Sequence, residues 1–109
     1  MFNPMELMGK VKEMQAKMQE AQENLVNIKA SADAGAEMVK ATVNGKRQVI
    51  ALEIDKDLLN PNDQQMTQDL IIAAINKALN EVDRLVKEEL KKQTQGLLPN
   101  IPGLDLENL

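Results

Sequence analysis

Asn44-Gly45, set in the stretch EMVKATVNGKRQVIALEIDKDLL (residues 37–59), constrains this chain more than any other feature. Asn-Gly between alternating apolar runs signals a β-hairpin, because a two-residue type I′ turn needs positive φ at both central positions. If Val43 pairs with Lys46, Val39 falls opposite Ile50. Val39, Ala41 and Val43 then share a face with Ile50, Leu52 and Ile54, while Lys40 and Thr42 share the other with Val49, Ala51 and Glu53. Side chains alternate with period two, so a slip by one residue breaks this match and a four-residue loop preserves it. Odd registers are excluded; the even ones stay open.

A helical pattern lies on each side of the hairpin. Asn3-Pro4-Met5-Glu6 places Asn at the N-cap, Pro at the first helical position and Glu at the third, where it can reach back to the cap. Leu7, Val11, Met14, Met18, Ala21, Leu25 and Ile28 then recur at alternating steps of four and three, a heptad seam. Its methionines are packing filler. Asn60-Pro61-Asn62-Asp63 repeats the entry chemistry, and a second helix can run to Gln95, with Gly96 as its stop and Lys91 and Lys92 in its last turn. Its seam of Ile75, Leu79, Val82 and Val86 is widened by Ile71, Ile72, Ala74, Ala78, Leu85 and Leu90, enough to meet two partners.

Lys29 to Asp33 is weakly strand-like, and Asp33-Ala34-Gly35 is the expected turn into the hairpin. The fold class is therefore α+β, ordered α-β-β-β-α, with a three-stranded antiparallel meander. A helix over 61–95 is roughly 50 Å long and the first helix roughly 35 Å; an eight-residue strand spans only about 27 Å. Both helices should overhang the sheet, with their far ends paired antiparallel. Such a protomer covers its own sheet poorly, and a homodimer would supply the cover. Residues 1–96 are expected to form one domain, with 97–109 as a Pro/Leu-rich tail.

Val39-Lys40-Ala41-Thr42-Val43-Asn44-Gly45 and Ile54-Asp55-Lys56-Asp57-Leu58-Leu59 resemble the signature of the YbaB/EbfC family of bacterial nucleoid-associated proteins. Ala34-Gly35-Ala36 stands where that family usually has a glycine cluster. The resemblance extends to both helices and the tail, and it is specific through the order of elements rather than through one motif. It implies a homodimer whose helices project like tweezers from a central sheet and which binds double-stranded DNA with little sequence preference. It also implies a place in the cytoplasm, at the nucleoid.

Composition narrows the chemistry. At 109 residues with 43% hydrophobic content the chain can bury a modest core. It has neither His nor Cys, which removes the usual general base, the thiol nucleophile and the zinc ligands. Asp55-Lys56-Asp57 with Asn60 and Asp63 lacks the glycine and the bidentate Glu of a calcium loop. No cofactor and no enzymatic activity are expected. The longest apolar run, Leu70 to Ile75, is far too short for a membrane span, and the N-terminus lacks the design of a signal peptide.

Net charge is −4, which does not favour a nucleic-acid binder. The excess acid lies in residues 31–63 and 96–109, each at −2, while 1–30 and 64–95 are neutral. Phe2 is the only aromatic residue, so base stacking is closed and any contact should be to the duplex backbone. The candidates are Lys10, Lys12 and Lys17 on the first helix and Arg84, Lys87, Lys91 and Lys92 on the second. Arg84, Lys87 and Lys91 share one helix face. Glu13-Lys17, Asp83-Lys87 and Glu88-Lys92 also have the spacing of surface ion pairs, so charge alone fits a solvated face better. The resemblance turns the reading to DNA. The competing class is a non-enzymatic adaptor that binds a protein through the helix pair or through the tail GLLPNIPGLDLENL.

Overall fold

The computed structural model describes residues 3–94, so the tail and the helix stop at Gly96 lie outside the described residues. The order is α1 (Pro4–Glu23), a 3-10 turn (Asn24–Asn27), β1 (Lys29–Ala34), β2 (Val39–Asn44), β3 (Val49–Ile54), two further 3-10 turns (Lys56–Leu58 and Pro61–Asp63) and α2 (Gln64–Thr94). The strands form one antiparallel sheet in the order β1-β2-β3. The α-β-β-β-α architecture is the one expected. By contacts the chain forms two compact units, Leu25–Val86 and α1 with the end of α2 from Lys87.

The first helix starts as expected, whereas the second begins at Gln64 rather than Pro61, because residues 61–63 form a 3-10 turn. The Asn3 side chain accepts from the Met5 amide at 3.0 Å. Asn60 caps the 3-10 turn that leads into α2, accepting from the Asn62 amide, and Asp63 accepts from the Asn60 side-chain amide at 2.6 Å. The heptad seam outlasts its helix. After Glu23 the chain tightens into the 3-10 turn, so Leu25 sits in that turn and Ile28 in the link to β1. Along α1 the seam goes from exposed at Leu7 and Val11, through half-buried at Met14 and Met18, to buried at Ala21.

The unit Leu25–Val86 holds the main core. Ala30 and Ala34 of β1 and Val39, Ala41 and Val43 of β2 pack with Ala74, Ala78 and Val82 of α2 and with Leu58. Small side chains on both surfaces let the helix lie close to the sheet. Their steps of four along α2 make this one stripe of the helix. Lys77, on one flank of that stripe, donates to the Asp33 carbonyl of β1 at 3.1 Å.

The hairpin departs from the expected turn. Val39 pairs with Ile54 and Ala41 with Leu52, four positions beyond the two-residue-turn register, and Val43 pairs with Val49 across a bulge. Parity survives for Val39 and Ala41 with Leu52 and Ile54, whereas Val49 comes opposite Val43 rather than sharing a face with Lys40 and Thr42. The Arg47 amide donates to the Asn44 carbonyl at 2.9 Å and the Asn44 amide to the Gln48 carbonyl at 3.0 Å, closing a loop of three residues. Arg47, not Gly45, takes the left-handed backbone, at φ 63°. A type I turn followed by a left-handed residue is the usual three-residue hairpin loop. The Asn44 side chain secures it, accepting from the amides of Lys46 and Gln48 and donating to the Gln48 side chain.

Candidate nucleic-acid interface

The seven candidate cations all lie on the two long helices and all are exposed. Six of them, Lys10, Lys12, Lys17, Lys87, Lys91 and Lys92, belong to the same compact unit; Arg84 belongs to the other. On α1, Lys10 and Lys17 are seven residues apart and share a stripe, whereas Lys12 is turned about 200° from Lys10 at 3.6 residues per turn. On α2, Arg84, Lys87 and Lys91 fall within about 60° of each other, and Lys92 lies on another face.

Their partners differ from those the spacing suggested. Arg84 is held by Glu81, one turn earlier, through Nη2 at 2.6 Å and Nε at 3.3 Å. That hydrogen bond, with the adjacent positive charge, lowers the Glu81 pKa below its ordinary value. Asp83 does not pair with Lys87. It pairs with Arg47 of the β2–β3 loop instead. Glu13-Lys17 and Glu88-Lys92 form no ion pair either. Among the described residues Lys10, Lys12, Lys17, Lys87 and Lys92 have no carboxylate within bonding distance. Flexible, strongly hydrated ammonium groups gain little from surface pairing and lose side-chain entropy by it.

The sheet offers phosphate nothing comparable. On its outer face Lys40 stands between Asp33 and Glu53 in the strand register. With Glu37 and Asp55 these residues line a shallow bowl of about 520 Å³ in which four acids face one base. Ser31 and Thr42 share a cross-strand hydroxyl hydrogen bond of 2.7 Å beside it. A polyanion is repelled there.

The whole of this pattern matches the model of the YbaB/EbfC DNA-binding family, over residues 1–97. The chain belongs to the YbaB/EbfC DNA-binding family. A Bartonella tribocorum nucleoid-associated protein is 42% identical over 93 residues, which is 85% of this chain and 87% of that one. A nucleoid-associated protein of Syntrophobacter fumaroxidans is 40% identical over 108 residues, covering 99% and 94%. Among solved structures, the uncharacterized protein HP0035 of Helicobacter pylori superposes with a TM-score of 0.71 at 22% identity, covering 88% of this chain and all of that one, which shows the shared fold. Among the described residues no helix is long and apolar enough to cross a membrane.

One contact escaped the sequence, and the poor cover expected of the sheet falls on β3. Arg47 holds Asp83 across 36 residues, a contact that no local spacing could announce. β3 also carries a patch of uncovered apolar side chains: Val49, Ile50 and Leu52 are 48%, 45% and 42% exposed. Its signal was present in the sequence as a strand with apolar residues at successive positions.

Proposed function

We propose that this protein is a homodimeric nucleoid-associated protein of the bacterial cytoplasm that binds duplex DNA with little sequence preference. The observation that carries the reading is the set of five exposed lysines, on α1 and the end of α2, that have no carboxylate partner among the described residues, in a chain of this family. Ammonium groups on flexible stems suit phosphates along a backbone rather than base edges. Only two arginines, Arg47 and Arg84, could make bidentate guanine contacts, and both are engaged by carboxylates. Affinity then comes from counterion release and is modest, since the net charge of −4 repels DNA at long range.

The second copy belongs on the β3 side of the unit Leu25–Val86. Lys77 covers a carbonyl of the other edge strand, β1, which blunts that edge against pairing. Among the described residues β3 has no such guard. Beside its uncovered Val49, Ile50 and Leu52, the α2 flank away from Lys77 carries Ile72, exposed, and Ile75 and Leu79, half-buried. Uncovered apolar side chains on an edge strand and on a flank of the helix mark an interface, and self-association is its simplest occupant in a family fold with one sheet per chain.

The deciding experiment is a titration of two unrelated duplexes at two salt concentrations. Binding to both alike, with log affinity falling by about 0.9 per neutralised phosphate for each tenfold rise in salt, supports the reading. Absence of binding to either duplex at the lower salt overturns it.

A further inference from the structure

We propose that Arg47 is a positioning residue for DNA binding: it holds the Asp83 carboxylate away from Lys87 and so leaves the Lys87 ammonium for phosphate. The inference rests on the DNA-binding reading above.

Asp83 lies four residues before Lys87, and an acid placed N-terminal to a base at that spacing is the favoured helix-surface pair. Left to the helix, Asp83 would neutralise Lys87. Instead Nη1 of Arg47 binds Oδ2 of Asp83, with both side chains half exposed. The guanidinium reaches that carboxylate because the β2–β3 loop is fixed on three counts. The Gly45 amide donates to the Leu25 carbonyl, the Arg47 amide closes the turn onto Asn44, and the Asn44 side chain ties the loop from within. Arg47 occupies the left-handed position of the loop, at φ 63°, which Gly fills without strain and Asn with less than most residues. An arginine there carries a conformational cost, and its side chain makes the ion pair to α2. The same pair masks the Asp83 charge from an approaching phosphate. Neutralising the acid and freeing the base act in the same direction.

The test uses the full chain and a duplex titration at two salt concentrations, with Lys87→Gln, Arg47→Asn, Asp83→Asn and the double variant Arg47→Asn/Asp83→Asn. Asn at 47 accepts the left-handed backbone, so the loop is retained. The double variant has the parent's net charge, so the long-range field is unchanged. Lys87→Gln and Arg47→Asn should each weaken binding several-fold and reduce the salt slope by about one phosphate's share. Asp83→Asn should bind at least as tightly as the parent, and the double variant should recover the parent's affinity and slope. If the double variant stays as weak as Arg47→Asn, Arg47 contacts DNA or shapes the loop on its own, and the proposal is wrong. If Asp83→Asn weakens binding as Arg47→Asn does, the pair acts only as a strut, and the proposal is again wrong. If Lys87→Gln costs nothing while the parent binds, this inference falls and the DNA reading stands; if the parent binds no duplex, the reading itself falls.

Discussion

Gly45 donates its amide hydrogen to the Leu25 carbonyl at 2.9 Å, and a Cβ at Gly45 would lie 2.6 Å from that same oxygen. The Val86 side chain would be 3.0 Å from it and could give way, but the backbone oxygen can move only by stretching the hydrogen bond it accepts. Gly45→Ala should therefore destabilise the fold by about 1–3 kcal/mol, in the range of overpacking. Urea unfolding checks this: the midpoint should fall with little change in slope. A midpoint equal to the parent's would mean that the contact relaxes freely.

The β1–β2 turn makes the opposite prediction. The Met38 amide donates to the Gly35 carbonyl at 3.2 Å, and the two residues between them, Ala36 and Glu37, have φ of 52° and 71°. Residues with a Cβ are strained there, while glycine is not. Ala36→Gly and Glu37→Gly should each stabilise the protein, by about 0.5–1 kcal/mol after the added flexibility of the unfolded chain is set against the relieved strain. Gly35→Ala should do the reverse, since Gly35 is at φ 64° and a Cβ would meet two Leu70 methyl groups at 2.9 Å. Thermal unfolding separates the three variants by sign.

Much of this was legible in the residues. Asn3-Pro4 announced the start of α1 and Asn60-Pro61 the 3-10 turn that leads into α2, and strand parity announced that Val39 and Ala41 share a face with Leu52 and Ile54. The hairpin register was not legible, because Asn44-Gly45 carries two signals at once. The glycine is there for the close approach of Leu25, a contact over 20 residues, and not for a left-handed φ. The end of α1 was missed for the same reason: Leu25 continues the heptad, but its carbonyl is captured by Gly45 and the helix gives way to a 3-10 turn. At the candidate interface the basic residues were plain, whereas their partners were not. Local spacing paired Asp83 with Lys87, and the fold supplied Arg47 from another element.

Glu81 provides a pH-dependent probe of Arg84. Its carboxyl is held below the ordinary carboxylate range, first by the hydrogen bond from Arg84. A group depressed in the folded state adds stability above its unfolded pKa of about 4.3 and loses it as pH falls through the folded value. A carbon-detected NMR titration should place the Glu81 midpoint lower in the parent than in Arg84→Gln. The same Glu81 midpoint in parent and variant would deny the pair in solution.

The dimer reading predicts a mass. Light scattering at micromolar concentration should give about twice the 12.1 kDa of the chain. Leu52→Glu with Ile50→Glu should return it to one chain mass while far-ultraviolet circular dichroism is retained, because both side chains are exposed within the protomer. A parent that is monomeric, or a double variant that still dimerises, would reject the β3 surface.

The last prediction concerns the cations themselves. Changing Arg84, Lys87 and Lys91 together to Glu should reduce binding to every duplex alike and flatten the salt dependence, since phosphates carry no sequence information. The dimer should survive, because all three side chains are exposed and stand off the apolar stripe of α2. The three should not contribute equally. Arg84 is already bound by Glu81 through two of its nitrogens, so a phosphate must compete with a carboxylate for it. Lys87 has lost its neighbouring acid to Arg47 and faces no such competition. Single substitutions to Gln should therefore cost more affinity at Lys87 than at Arg84. Equal losses, or a triple variant that binds as tightly as the parent, would move the contact surface elsewhere, with the exposed Lys46 of the β2–β3 loop as the next residue to substitute.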